Sequence, residues 1–534
     1  MKIGFLTDSK LIPLWVSDLI GEVSQISGVQ VNFVASLNIG PQDQFGWLAN
    51  KIVQFDRSIW PDKKNLFVSV SPEPTQYFFD LHAVTVDGQI ILNAEDSSKL
   101  TSLGAELIIY TGQSSVVLSK PHELNGLLWT ISYADSPDIK VLMPGYQEWY
   151  HNCDANFIGI RQFNPDKSSK LIASRLIRAL HFSYNRNLSS VVTATAELIR
   201  LSIEKLISGH QLPVVNPATV SATTRLSADR VPLRLPTRAA LMFGFVKLFL
   251  RAAIRFVEGR FYHAEAWGLF FKSAATKSPW TDLHHFTPLL PSKDKIWADP
   301  FVISNSEGNY VFLEEMNYGG KGRIICLHLS AVGEVLNSQI ILEKPFHLSY
   351  PFLIQQDGVW YMIPESSENN TVDLYECVQF PYQWKFRKNI LSGIKALDST
   401  IFRHREKFWL FCSVQQHECG SPNDALHIYY TDDFLNGTWK PHRHNPVMLD
   451  ACNARPAGNF FMHEGAIYRP SQICIPDYGM NMGLNRVLEL SEDTYSEERV
   501  TTLSMSEHGI YKIHTFNFNE NFRIVDGALR RFKY

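Results

Sequence analysis

Past Gly268 a strand–turn–strand pattern returns about every 50 residues, the period of a propeller blade. Before residue 185 short apolar strands alternate instead with helical stretches, and a Pro-rich gap separates the two regimes. Together these predict an α/β N-terminal domain followed by an all-β C-terminal five-bladed β-propeller. The expected bounds are 1–185 for the α/β domain, 186–265 for a helical segment with linker and amphipathic helix, and 266–534 for the propeller. At 534 residues the chain is well beyond the roughly 100–200 usual for one domain, so more than one is required.

In the first part Lys2–Leu6 reads as an apolar strand and Ile12–Ile26 has helical spacing. Val29–Val34, Asn65–Ser69 and Glu106–Tyr110 read as further strands. Neither G-x-G-x-x-G nor G-x-x-x-x-G-K-[ST] occurs, so no nucleotide phosphate cradle is expected. Leu188–His210 is again helical in pattern. Gln211–Thr237, with Pro213, Pro217, Pro232 and Pro236, reads as a linker. Arg238–Phe261 is an apolar helix carrying Arg238, Lys247, Arg251, Arg255 and Arg260, too short and too charged to span a bilayer. Such a helix suits either a membrane interface or a packing position between two domains.

The propeller units open at Ala298-Asp299-Pro300-Phe301, Ser349-Tyr350-Pro351-Phe352, Asp398-Ser399-Thr400-Ile401 and Ala454-Arg455-Pro456-Ala457. Turns follow at Glu307-Gly308, Asp357-Gly358, Arg405-Glu406 and Glu464-Gly465, and the three acidic-Gly pairs among them signal hairpins. The second strands end at Glu315, Glu365, Ser413 and Gln472. The C-terminal stretch from Tyr495, with Trp267–Ser273, is expected to close a fifth blade from both ends and so remove exposed strand edges.

Composition narrows the function. A net charge of −3 leaves no electrostatic footprint for nucleic acid. Seven cysteines with no C-x-x-C pair give no metal-ligand spacing, so no metal and no cofactor are expected. The N-terminus lacks a signal-peptide pattern, which makes the cytoplasm the expected location, with a peripheral position on the inner face of the membrane if Arg238–Phe261 lies in it.

The residues opening each inner strand converge on one end of the propeller axis. Asp299, Asp398, Glu365 and Glu315 are the catalytic candidates, with Tyr350, Arg455, Arg469, Gln472 and Ser413 as substrate-binding candidates. Clustered carboxylates suit chemistry at an anomeric carbon: one stays ionised as base or ion stabiliser, and one with a raised pKa protonates a leaving oxygen. Arg455 and Arg469 would steady an anionic leaving group such as a phosphate. His442, His444 and His463 lie in loops and are read as solvated.

Three resemblances follow from these residues. Trp297-Ala298-Asp299-Pro300-Phe301 resembles the Asp-Pro motif of the five-bladed arabinanase-like glycoside hydrolases, which implies a base at Asp299 and a tuning carboxylate at Asp398. The fourth blade, however, offers Arg455-Pro456-Ala457, and that family's later acidic Glu is not evident. Lys295–Gln472 looks like the propeller at the N-terminus of plant glucosamine inositolphosphorylceramide transferases. This resemblance implies glycosyl transfer from an activated, nucleotide-sugar donor onto a lipid-linked or surface glycan. Leu128–Asp135 and Met143–Trp149 resemble the formyltransferase N-terminal domain, with Ser132 where that family has its His and Thr130 where Asn is common. Lacking both oxyanion-stabilising groups, this half is expected to be a degenerate formyltransferase-like fold kept for binding or packing. The leading expectation is a glycosyltransferase in cell-surface polysaccharide or glycolipid assembly. The alternatives are a glycoside hydrolase and a non-catalytic glycan-binding scaffold, whose binding would survive loss of the Asp299 charge.

Overall fold

The computed structural model describes residues 1–37, 46–60, 66, 68–71, 78–81, 83–86, 89–92, 94–112, 127–133, 144–163, 168–210, 214, 238–273, 284–416, 420–505 and 509–532. Most of the Gln211–Thr237 linker, residues 134 and 135, and Met143 lie outside them. The chain divides into two units, Met1–Ile254 with Cys419–Ser421, and Arg255–Glu418 with Pro422–Tyr534.

The first unit is built on one seven-stranded sheet. Its strands are β1 (Lys2–Thr7), β2 (Gln30–Ser36), β3 (Phe78–Asp80), β4 (Leu107–Tyr110), β5 (Leu127–Ser132), β6 (Ala155–Phe163) and β7 (Ser169–Arg178), in the order β7-β6-β5-β4-β1-β2-β3. The five strands β1 to β5 pair in parallel, and β6 and β7 add an antiparallel edge. Parallel strands buried on both faces need near-continuous apolar runs, which Leu107–Tyr110 and Gly4–Leu6 supply. Helix α1 (Leu14–Ser24) packs Trp15, Val16, Leu19, Ile20 and Val23 inward at 3–4 residue spacing. Of the expected strand Asn65–Ser69, residues 65 and 67 fall outside the description, and Ser69–Val70 pairs with Ile12–Pro13. Helices α2 (Gly46–Ile59), α3 (Ala94–Ser102) and α4 (Tyr146–His151) follow. Helix α5 (Tyr184–Ile207), expected in the connecting segment, packs against β6 and β7. Ser183 caps it by accepting the Arg186 amide at 3.0 Å. Helix α6 (Arg238–Phe261) runs into the second unit.

The second unit is a five-bladed β-propeller. Blade 1 runs through Lys295–Asn305, Gly308–Asn317, Arg323–Leu329 and Val335–Leu342; blade 2 through Ser349–Gln356, Val359–Ser366, Thr371–Gln379 and Gln383–Ser392. Blade 3 comprises Ala396–His404, Lys407–Val414 and Ala425–Thr431 with short edge pieces. Blade 4 comprises Phe461–His463, Ala466–Ile473, Asn481–Leu490 and Tyr495–Leu503. Blade 5 closes the ring from both directions: Ile510–Lys512 and Phe516–Phe518 pair with Phe522–Phe532, which pairs along its length with Tyr262–Ser273. The expected turns are present. Asp357-Gly358, Arg405-Glu406 and Glu464-Gly465 each place both residues at positive φ, the handedness that matches strand twist in a two-residue hairpin. Burial falls from the axis outward: Ser349–Leu353 is buried, while most of Val335–Leu342 is exposed.

Candidate active site on the propeller axis

Blades 1, 2 and 3 open with the same local irregularity. Strand register slips between Ala298 and Phe301, between Ser349 and Phe352, and between Leu397 and Thr400. Inside each slip one residue adopts a left-handed conformation: Asp299 at φ 54°, Tyr350 at φ 42° and Asp398 at φ 52°. Bulges of this kind re-aim a side chain, and a non-glycine residue held there costs about 1–3 kcal/mol that the surrounding packing must offset. Three equivalent strained residues therefore point to a selected arrangement at the axis.

Asp398 is 1% exposed and fully engaged. Arg455 donates to its carboxylate from Nε at 2.6 Å and Nη2 at 3.2 Å, and Gln472 donates from Nε2 at 2.7 Å. The same guanidinium donates to Asn423 Oδ1 at 2.7 Å, lies 3.6 Å from Glu365 Oε2 and stacks over the Tyr478 ring at 4.9 Å. Glu365 accepts the Asp398 amide at 3.3 Å and the Ser367 hydroxyl at 2.7 Å. Burial, then the neighbouring Asp398 charge, pushes Glu365 up to about 8, against the pull of Arg455. At neutral pH it carries its proton.

Asp299 anchors the opposite side. Its amide donates to Asp526 Oδ2 at 2.9 Å. Its carboxylate accepts the Thr515 hydroxyl at 2.6 Å and the Tyr350 amide at 3.2 Å. His514 stands between two carboxylates, Nε2 at 3.3 Å from Asp299 and Nδ1 at 2.7 Å from Asp526. Burial alone would lower His514, but Asp526 and Asp299 lift it to about 9, so the imidazolium is the resident form. Burial lifts Asp299 to about 6 although His514 opposes the shift. Asp299, His514 and Asp526 each bring one ligand atom within 4.8 Å of the others, a donor set able to hold a metal ion; the imidazolium supplies positive charge at the same place.

The structure thus brings together Asp299, Asp398, Glu365, Arg455 and Gln472, with Tyr350 as a strut: its phenol pairs with Thr400 Oγ1 at 2.9 Å and accepts the Gly458 amide at 2.7 Å. Glu315 is placed elsewhere. It is held by Arg323 at 2.7 Å, Trp297 Nε1 at 3.0 Å and Lys295 at 3.1 Å; burial raises its pKa, but these donors outweigh that and pull it down. Neighbouring side chains in a strand point to opposite faces, so the axial residue is Glu314. Glu314 Oε1 lies 3.2 Å from His347 Nε2. Burial and the charges of Asp299, Glu365, Asp398 and Asp526 drive Glu314 well above the ordinary carboxylate range. Arg469 also departs from its expected position. Buried in blade 4, it grips Glu497 through Nε at 2.7 Å and Nη2 at 2.6 Å, a structural ion pair. Ser413 donates to the Pro422 carbonyl at 2.7 Å and serves the loop of its own blade. His442, expected in solvent, is buried and accepts the His444 amide at 3.0 Å, and His463 lies 3.8 Å from Glu464; none of the three joins the cluster in the contacts described. Sequence reasoning missed Glu314, Asn423, Tyr478, His514, Thr515 and Asp526. The available signal was that His514-Thr515 occupies the axial entry of blade 5.

Fold and site together define a five-bladed propeller with an acidic axis. Residues 290–517 match the family described as glucosamine inositolphosphorylceramide transferase 1, N-terminal. The chain is 35% identical over 217 residues to glucosamine inositolphosphorylceramide transferase 1 of Arabidopsis thaliana, covering 40% of this chain and 28% of that protein. Against the protein of the same name from Oryza sativa subsp. japonica it is 31% identical over 206 residues, covering 38% of this chain and 27% of the relative. The chain therefore spans less than a third of the length of these curated relatives. Among solved structures, it is similar to a family 117 glycoside hydrolase from Zobellia galactanivorans, at 11% identity and TM-score 0.33 over 50% of this chain and 91% of that one. It is also similar to an α-L-arabinofuranosidase from Lactobacillus brevis, at 14% identity and TM-score 0.32 over 43% of this chain and 90% of that one.

Proposed function

We propose that the propeller is the sugar-handling domain of a glycosyltransferase-type enzyme that assembles a cell-surface polysaccharide or glycolipid, with the axial cluster as its active site. The observation that carries this reading is the buried set Glu365–Arg455–Asp398 facing Asp299: a protonated carboxyl, a guanidinium and two further carboxyls on one axis. The similarity of residues 290–517 to proteins named as transferases favours transfer over hydrolysis.

In the proposed step the acceptor hydroxyl attacks the anomeric carbon of a nucleotide-sugar donor. The C–O bond to phosphate breaks and the nucleotide leaves as the anion, taking the bonding pair. The acceptor proton passes to Asp299, and Asp398 stabilises the oxocarbenium-like charge. Glu365 donates its hydrogen bond to the departing oxygen, and Arg455 balances the negative charge beside it. The acceptor is lipid-linked or a surface glycan. For the first unit we propose a formyltransferase-like fold without formyl transfer, because Thr130 and Ser132, both on β5, replace the Asn and His that the chemistry needs.

The test is a mass-spectrometric assay of the full chain with nucleotide sugars and a bacterial lipid extract. Wild type should add one sugar mass to a lipid-linked product, and Asp299→Asn or Glu365→Gln should lower the rate about 10²–10⁴-fold. Release of free sugar without a lipid product would assign hydrolysis instead. Neither product, with glycan binding retained in Asp299→Asn, would assign a binding scaffold.

A further inference from the structure

Helix α6 is amphipathic in the reverse sense from most surface helices. Gly244 and Leu248 are buried, and the cations on that face turn inward. Lys247 donates to the Tyr150 carbonyl, while Arg251 donates to the His181 carbonyl, to Asn152 Oδ1 and, at 3.3 Å, to the Trp149 carbonyl. Its apolar residues face away: Phe243, Val246, Leu250, Ile254, Val257 and Phe261 recur at 3–4 residue spacing, each at least half exposed. Burial of such side chains is favourable in proportion to their area, so a stripe of this length in water implies a surface that covers it.

We propose that α6 docks on the surface of an anionic lipid bilayer through this outward face. Breadth argues for lipid over a second copy of the chain. Phe249 and Phe256, the latter 79% exposed, widen the apolar arc to about 160° at 100° per residue, far broader than the narrow seam that pairs helices. A helix rich in Phe on one side, with low net hydrophobicity, is the form that lies in a membrane interface. No described helix is long and apolar enough to cross one. Charge agrees in sign: among the exposed charged side chains described on α6, Arg255 and Arg260 stand against Glu258 alone. This deepens the lipid-borne acceptor of the proposed function and rests on it for the acceptor only, because docking is read without turnover.

The experiment is co-sedimentation of the full chain with vesicles of phosphatidylcholine alone and of phosphatidylcholine mixed with phosphatidylglycerol. Wild type should partition onto the mixed vesicles, with affinity falling as salt rises. The double variant Phe249→Ser/Phe256→Ser should bind at least about tenfold more weakly, as loss of two buried phenyl rings requires. Hydrogen exchange on wild type supplies a readout free of variant folding: peptides spanning 242–257 should gain protection when vesicles are added. Wild type remaining in the supernatant, or unchanged exchange over 242–257, overturns the proposal. So does concentration-dependent dimerisation abolished by the same double variant, which assigns the face to a second copy. Vesicle binding without sugar transfer would sustain the docking surface while removing the enzymatic reading.

Discussion

At the residue scale the axial cluster is governed by an imbalance of charge. Five carboxyls, Asp299, Glu314, Glu365, Asp398 and Asp526, share two cations, Arg455 and His514, in a buried site. Ionising all five there is prohibitive, so protons are retained where burial is deepest relative to the cations. For Glu365 the consequence is a testable pH dependence. Its folded pKa of about 8 stands above the ordinary 4.5, so the folded state holds a proton that the unfolded chain has released. Its stabilising contribution is complete below about pH 4.5 and is lost as pH rises through about 8. Thermal unfolding of wild type against Glu365→Gln, scanned over that window, should show wild type losing ground to the variant as pH increases. A parallel pH response in both would remove Glu365 as the titrating group. Sequence reading reached Asp299, Asp398, Glu365, Arg455 and Gln472 because blade repetition fixes the positions nearest the axis. It placed Glu315 on the axis in place of Glu314, since two adjacent glutamates at a strand end cannot be sorted without the pleat. It assigned Arg469 to the site on charge alone, and only Glu497, two strands away in the same blade, reveals an internal pair.

At the scale of elements, the three left-handed bulges explain how a regular blade presents an acid to the axis. Blade 4 solves the same problem differently. It has no left-handed non-glycine residue at its entry, and Gly458 at φ 129° makes the bend. A Cβ there would stand 2.2 Å from the Phe516 carbonyl oxygen, and the Gly458 amide is the donor to Tyr350. Gly458→Ala should therefore part blades 4 and 5 and withdraw the strut beneath Asp299, costing about 3 kcal/mol. Chemical denaturation measures this directly; a midpoint equal to wild type would mean that the approach is relaxed in solution. Blade 2 carries Tyr350 at the position that Asp299 and Asp398 occupy, and its phenol ties blades 2, 3 and 4 together. The hairpins were legible because Asp357-Gly358 and Glu464-Gly465 announce positive φ. The bulges were not, because Asp and Tyr give no comparable sign of a left-handed backbone.

At the scale of the whole molecule, the closure of the ring decides which segment is autonomous. The family match ends at residue 517 and begins at 290, so it leaves out both long strands of blade 5, Tyr262–Ser273 and Phe522–Phe532. Yet Asp526 on the second of these accepts the amides of Asp299, His514 and Thr515 at 2.9–3.0 Å. The axial site is therefore completed by residues beyond the region of recognisable similarity. The expectation from sequence that both ends of the domain meet in one blade follows from the need to eliminate strand edges, and the pairing of Trp267 with Ala528 and Phe271 with Ile524 realises it. Segment 255–534 expressed alone should melt in one cooperative transition, whereas 290–517 should not, because it exposes the edges of blades 1 and 4 and leaves the Asp299 amide and the His514 imidazole without their acceptor. Circular dichroism melts of the two segments distinguish these outcomes. Cooperative melting of 290–517 at the same temperature would show that four blades suffice, and that Asp526 contributes to the chemistry of the axis without being needed to hold the ring.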